Sequence, residues 1–507
     1  MAREADAALQ LKILQVGFVL VFIGAVLLAV KSLMSGAFSK AGIIVSLFIG
    51  LAVVLILDER YWLMLPVLSI SRLSIPGLPF DGTELGCLVV FVVHCFRMVV
   101  RRDERKSVLS RDVLATVPLL LWMFIVWMLN PVGLAMFQSR VIGGRFYFDI
   151  AVGFLAFLTL ASLQIKEKDA RYLFYAILLS QLLWLFRGIL FPQADPDSLI
   201  LSGSGLEQEV SARYAFITCS AIFVLLFAKW SLREIMASPM RIALFLLLAL
   251  LVAYSGKRQA FGTIVLVPFF RLFLTRKDVG LTIVVGFLAA VLVCAAVAFD
   301  GSVYTLPRSA KRALAVVFPR YERETAGGIH DVFRQEMRKQ AYCLIDESPV
   351  FGRKGFAMDL ENTGWMKFGG GHTSLYAGHA YSGNWHNMWL AYACDFGLPG
   401  LFFAICFWIY LLRFVFHENR LISQGVYLHA CFLFFSYQLL SSLVFSWVSG
   451  HASRSTYMTW IQYGMLLALL NGYQVSFREW NSLLPLSLFE GSQGLGQSGP
   501  PKLEGAT

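Results

Sequence analysis

Apolar runs close to twenty residues long recur along this sequence, and they admit only one kind of environment. "VGFVLVFIGAVLLAV" (16–30), "GIIVSLFIGLAVVLIL" (42–57) and "VGLTIVVGFLAAVLVCAAVAF" (279–299) are the clearest. A helix of about twenty residues crosses the hydrocarbon core of a bilayer. In lipid the backbone must satisfy its own hydrogen bonds, so runs of this length fold as helices. Composition agrees: the chain is 58% hydrophobic and 15% charged, whereas a soluble domain has about half apolar and a quarter charged residues. The fold class expected is an all-α polytopic membrane protein. "MAREADAALQLK" leads into a full-length span with no small-residue cleavage site, so no cleavable signal peptide is expected.

Short basic segments orient the spans. "RRDERK" (101–106), "KEKDAR" (166–171), the segment with Lys229, Arg233 and Arg241, and Arg276-Lys277 belong on the cytoplasmic side by the excess of Lys and Arg in cytoplasmic loops. Spans counted between them come to roughly 12–14, with both termini inside. The weakest is 61–77, short and interrupted by Pro66, which suggests a re-entrant segment. The expected divisions are N-terminal transmembrane helices over 1–299, a large external loop over 300–385, C-terminal transmembrane helices over 386–475, and a disordered cytoplasmic tail over 476–507. Within the loop, Val332, Phe333, Met337, Ala341 and Leu344 recur at helical spacing. Pro349 ends that helix.

The net charge of +11 is scattered between spans. Nucleic-acid binding needs a gathered basic face, so it is excluded; anionic membrane lipids are the better partners. The eight cysteines contain no CxxC, and all but Cys343 lie in or beside apolar runs, so neither zinc nor redox chemistry is suggested. His372, His379 and His386 recur every seven residues. Glycine-rich surroundings give them no helix to align on, and no metal or other cofactor is expected.

The orientation leaves Arg140, Arg145, Arg213, Lys257, Arg258, Arg334, Arg338 and His386 on one side of the membrane. Arg213 and Arg258 stand at the ends of spans, where a guanidinium holds a phosphate bidentately. His386 opens an apolar run, "HNMWLAYACDFGLPG", and is placed to take a proton from an alcohol or to orient one. Asn387 is a substrate hydrogen-bonding group or a helix cap. Arg140, Arg145, Arg334 and Arg338 are further candidate donor or acceptor contacts, or ordinary interfacial and solvated cations. Cations for a diphosphate and a base, facing away from ATP, suggest glycosyl transfer from a lipid-linked diphosphate sugar. Trp365, Tyr376, Tyr381, Trp385 and Trp389 are candidate sugar-stacking rings or an interfacial aromatic belt.

"HNMWLAYACDFGLPG" also resembles the His-[Asn/Ser/Gln]-x9-Gly-x2-[Gly/Thr/Tyr] signature of the O-antigen ligase and polymerase superfamily, through His386, Asn387, Gly397 and Gly400. "FRQEMRKQAYCLIDESPVFGRKGF" resembles that family's arginine-bearing helix followed by Pro-x-x-Gly-x-Gly, here Pro349, Gly352 and Arg353-Lys354-Gly355. "YSGKRQAF" resembles its Ser-Arg-Gly helix start but has Lys257 and Gln259 at the first and third positions. "SARYAF", with Arg213, resembles its other helix-start arginine, and the likeness covers roughly 210–470. The resemblance implies a metal-independent, inverting glycosyltransferase of the GT-C type in the bacterial inner membrane, with its active site facing the periplasm. Its donor would be an undecaprenyl-diphosphate-linked oligosaccharide. Arg213, Arg258 and Lys257 would bind the diphosphate, and His386 would activate the acceptor hydroxyl.

The acceptor is left as another lipid-linked glycan (polymerase), a lipid A core (ligase) or a protein hydroxyl. All three belong to O-antigen, exopolysaccharide or related assembly. The competing reading is a transporter or flippase for such a lipid-linked glycan. That activity needs charge at mid-membrane depth, for which Arg187 is the strong candidate.

Overall fold

The structure is a computed structural model. It describes residues 58–66, 82–100, 111–129, 145–190, 215–275, 278–307, 310–311, 314, 318, 320–321, 338–339, 341–352, 387–419, 422, 425–447 and 452–483. Among them there is no β-strand, only an isolated bridge between Asp300 and Tyr304. The protein is an all-α, multi-pass membrane protein. Its described helices are α1 (Gly82–Val100), α2 (Arg111–Leu114), α3 (Val117–Leu129), α4 (Arg145–Ser162), α5 (Glu167–Leu190), α6 (Thr218–Lys229), α7 (Leu232–Met236), α8 (Pro239–Ser255), α9 (Arg258–Thr275), α10 (Val279–Ala298), α11 (Met388–Glu418), α12 (Val426–Phe445) and α13 (Ala452–Leu483).

Five described segments are long and apolar enough to cross a membrane: Arg111–Leu129, Glu167–Leu190, Val279–Ala298, Met388–Glu418 and Val426–Phe445. The runs at 16–30 and 42–57, needed for the expected twelve to fourteen, lie outside the described residues. Burial separates the roles of the spans. The window of α12 is 72% buried and that of α10 only 11%, so α12 is core and α10 peripheral. Ile283, Phe287 and Leu292 of α10 point outward, as lipid-facing side chains do.

Contacts at the helix ends fix an alternating up-and-down arrangement. At one end the Met388 amide of α11 donates to the Ser446 carbonyl just after α12 (2.7 Å). Tyr392 of α11 shares a hydroxyl hydrogen bond with Thr456 of α13. Phe445 of α12 lies against Gly262 of α9, and Phe216, before α6, packs on Tyr254 of α8 (5.8 Å). At the opposite end Glu167 of α5 accepts the first amides of α12 (2.9 Å from Tyr427 and Leu428). There too Arg271 of α9 donates to the carbonyls of Phe227 and Trp230, and the Ile165 amide donates to the Ala468 carbonyl (2.9 Å).

Two expectations change, and a third segment is described only in part. Helix α13 runs to Leu483, so the C-terminal tail begins later than residue 476. Residues 61–66 of the weak segment 61–77 form a buried turn, tied in by Arg60 to Asp169 (2.7 Å) and by the Tyr61 hydroxyl to His94 Nδ1 (2.6 Å); residues 67–77 lie outside the described residues. Arg187 sits in the last turn of α5, at a helix end rather than at mid-span. Of the long loop, the helical turn 341–347 stops before Pro349 as anticipated.

Candidate functional site

The "SGKRQ" stretch is a tight turn between α8 and α9. Gly256 adopts a left-handed conformation (φ 68°, ψ 5°) and returns its amide to Ala253 (3.2 Å), a helix stop that glycine adopts without steric cost. The Lys257 amide donates to Ser255 Oγ (3.2 Å), and α9 begins at Arg258. Lys257 and Arg258 are both half-buried. Two cations at a helix N-terminus, with its own partial positive charge, form an anion-attracting corner.

Asn387 caps α11: its Oδ1 accepts the Leu390 amide at 3.1 Å. The capping reading of Asn387 is therefore the observed one, and a substrate role would be additional to it. The residue after the Ser446 anchor, Trp447, is 62% exposed and packs its ring 6.0 Å from Trp389. These two rings lie at the mouth of α11.

Ten residues on, α11 breaks. Gly397 has φ 71°, ψ 180°, a region open essentially to glycine alone. Pro399 follows within the helix and donates no amide. The Leu398 amide turns to the Pro349 carbonyl instead (2.8 Å). The backbone of Val350–Gly352 fills the break: a Cβ on Gly397 would stand 2.9 Å from the Phe351 nitrogen, and one on Gly352 2.8 Å from the Gly397 nitrogen. Gly352 is itself left-handed (φ 58°). Trp122 of α3 completes the joint. Its indole donates to the Phe396 carbonyl (2.8 Å) and its ring stacks on Phe351 (5.9 Å, 9°). The two motifs read separately in the sequence thus interlock.

A path of contacts joins this helix mouth to the Lys257–Arg258 turn. Met388 is bonded to Ser446, Phe445 abuts Gly262, and Gly262 lies one turn after Arg258. Above that turn, Val297, Leu314 and Tyr321 form a small apolar cluster that packs on Phe261. Asp300 fastens the cluster by accepting the Leu306 amide (2.7 Å) and pairing with Lys311 (3.0 Å). The Leu306 hydrogen bond, aided by Lys311, holds the Asp300 carboxyl below its usual pKa, while burial pushes the Tyr321 phenol up.

Lys257, Arg258 and Asn387 are therefore brought to one end of the bundle. Ala215, two residues after Arg213, lies there against Gly188, and the backbone of α4 begins there at Arg145. Arg338 is exposed on the stretch before the 341–347 turn. His386, Arg213, Arg140 and Arg334 lie outside the described residues, as do His372 and His379. Trp122, Phe351, Ser446 and Thr456 were not singled out from the sequence. Trp122 had a signal: it stands well inside an apolar run rather than in the interfacial belt where tryptophan concentrates.

Residues 242–405 match the protein-family model described as O-antigen ligase. The match takes in the Lys257–Arg258 turn, the Pro349–Gly352 stretch and the motif from His386 to Gly400. No curated protein matches the chain.

Proposed function

We propose that this chain, which matches the O-antigen ligase family model over residues 242–405, is a glycosyltransferase acting on an undecaprenyl-diphosphate-linked glycan at the periplasmic face of the bacterial inner membrane. The observation that carries the reading is the convergence, inside the family-matched region, of the Lys257–Arg258 corner and the Asn387-capped helix mouth at one end of the bundle. His386 is the residue immediately before that cap.

In the reaction proposed, the acceptor hydroxyl loses its proton to His386 while its oxygen attacks the anomeric carbon of the donor. The bond from that carbon to the diphosphate oxygen breaks with inversion. The diphosphate leaves as an anion held by Arg213, Arg258 and Lys257, and charge stabilisation there replaces a general acid. Arg140, Arg145, Arg334 and Arg338 contribute to holding the donor or acceptor glycan. The acceptor favoured is a second lipid-linked glycan, which makes the protein a polymerase; a lipid A core or protein hydroxyl uses the same chemistry. Residues 300–385 form the external loop over the helix ends in this reading. A flippase loses its best support, because Arg187 lies in the last turn of α5.

The test is purified protein with a defined undecaprenyl-diphosphate oligosaccharide. Chain growth is expected with donor alone. Transfer only when lipid A core or a protein is added would identify a ligase or a protein-directed transferase, and no transfer to any acceptor would overturn the reading. Orientation is tested separately by Ser302→Cys, an exposed position. An impermeant maleimide should label it in intact spheroplasts.

A further inference from the structure

We propose that the end of the bundle opposite Asn387 holds a binding site for an anionic phospholipid, with its phosphate between Arg171 and Lys229. The Lys229 Nζ lies 3.3 Å from the Tyr427 hydroxyl and 4.6 Å from that ring's centre. The Arg171 guanidinium is 5.9 Å from the Tyr427 ring and 6.0 Å from the Tyr175 ring, and the two phenol oxygens are 3.1 Å apart. Two cations and two hydroxyls thus share one corner between α5, α6 and α12.

The corner's charge is not cancelled from within. Asp169, the acid nearest in sequence to Arg171, pairs with Arg60 (2.7 Å), and both carboxylate oxygens of Glu167 accept α12 amides, each at 2.9 Å. Among the described residues neither Arg171 nor Lys229 has a carboxylate in ion-pair range. Arg241 and Arg233 nearby are already engaged. Arg241 donates to the Glu234 carbonyl (2.9 Å) and lies over Trp230 (4.8 Å), and Arg233 pairs with Asp278 (3.0 Å). A phosphodiester supplies the missing charge, accepting from a guanidinium fork, an ammonium and phenol hydroxyls.

The surface beyond the corner identifies the source of that phosphate. Arg171 and Tyr175 are exposed, and from Tyr175 an outward stripe continues along α5 through Leu179, Leu183 and Phe186. Helix α5 is long and apolar enough to span a membrane, so the stripe faces acyl chains. A phospholipid seated at the corner lays its tails along it, whereas a free phosphate leaves the stripe unused. Juxtamembrane basic residues attract anionic headgroups in this way. The proposal is independent of the transfer reaction.

The test uses the full chain in nanodiscs of phosphatidylcholine with and without phosphatidylglycerol. Lipid retained after release into detergent is counted by native mass spectrometry, and melting is recorded in parallel. Wild type should retain phosphatidylglycerol and melt higher in its presence. Arg171→Gln/Lys229→Gln should lose roughly thirtyfold in retention, the effect of two basic contacts, with unchanged melting in phosphatidylcholine alone. Arg241→Gln should behave as wild type. Equal retention by the double variant, or an equal loss in Arg241→Gln, would overturn the site. Displacement of the lipid by millimolar inorganic phosphate with the same thermal shift would show a phosphate site and overturn the lipid assignment. If the double variant does not fold, Arg171→Gln alone, at an exposed position, carries the same comparison.

Discussion

Gly352 and Gly397 meet backbone to backbone, so closely that a methyl group on the first would stand 2.8 Å from the amide nitrogen of the second. The stretch after the 341–347 turn is thereby seated in the break of α11, and the part of α11 from Met388 to Leu398 is held from four sides. Ser446 holds the Met388 amide, Thr456 the Tyr392 hydroxyl, Trp122 the Phe396 carbonyl, and Pro349 the Leu398 amide. The helix mouth that follows His386 is rigidly placed because its far end is locked.

Gly397→Ala should destabilise the protein. The φ of 71° with ψ of 180° costs any other residue about 1–3 kcal/mol, and the added carbon collides with the backbone of Val350 and Phe351. Gly286→Ala in α10 meets nothing within 4 Å and should be neutral or raise stability by about 0.5–1 kcal/mol, the helix preference for Ala. Melting in detergent compares them, and equal melting of the two variants would show that the joint is not tight.

Asn387 separates capping from substrate contact. Asn387→Ala should cost about 1 kcal/mol, the typical value of an N-cap. Asn387→Asp keeps an acceptor for the Leu390 amide and should melt like wild type. Loss of transfer in the Asp variant with wild-type melting would assign the side chain a substrate role, and wild-type transfer would leave it a cap.

The placement of Lys257, Arg258 and Asn387 at one end of the bundle was legible in the sequence, because short basic loops fix the alternation of the spans. Arg258 opens a helix, as its place at the end of a span in "YSGKRQAF" requires, and the 341–347 turn stops before Pro349 as read. The break at Gly397 was not legible. Local pattern marks it only as a glycine in an apolar helix, where close packing is the ordinary explanation; its conformation is set by a distant partner segment, Val350–Gly352. Trp122 was hidden for the same reason, since its acceptor, the Phe396 carbonyl, is freed only by that break. The length of α13 escaped because its last turns are polar, and polarity reads as tail when packing is not seen.

Acid should loosen the cap over the start of α9. Hydrogen bonding from Leu306 and the charge of Lys311 lower the folded-state pKa of Asp300, so its contribution is complete above the unfolded value of about 3.9. It is lost as pH falls through the lower folded value. Hydrogen exchange at 301–306, corrected for intrinsic rates, should stay protected down to about pH 4 and rise below it. Asp300→Asn should remove this transition, and a transition surviving in that variant would assign it to another group.

Arg258→Ala and Arg213→Ala should weaken donor binding, and Arg258→Lys should restore it only in part, because an ammonium cannot reproduce a bidentate fork. Titration of a fluorescent undecaprenyl-diphosphate donor measures this apart from turnover. Wild-type affinity in both alanine variants would make these arginines merely interfacial.

His386→Ala should leave a folded, inserted protein whose transfer is slowed by about a hundred- to ten-thousand-fold, the usual effect of losing a positioned base. The anchors of the α11 mouth are Asn387, Met388, Tyr392, Phe396 and Leu398, and none of them needs the His386 side chain, so melting should change little. Donor affinity should also hold, since the diphosphate is assigned to Arg213, Arg258 and Lys257. This pattern of lost turnover with kept melting and kept binding separates chemistry from structure. His386→Gln tells base from orienter: it retains activity if the imidazole only positions the acceptor and loses it if the ring takes the proton. In wild type a base role predicts a rate that falls as pH drops below about 6.5, the unperturbed histidine value, because the protonated ring accepts nothing. Wild-type rates in His386→Ala would remove the residue from the mechanism and leave the α11 mouth as a well-anchored helix start without chemistry.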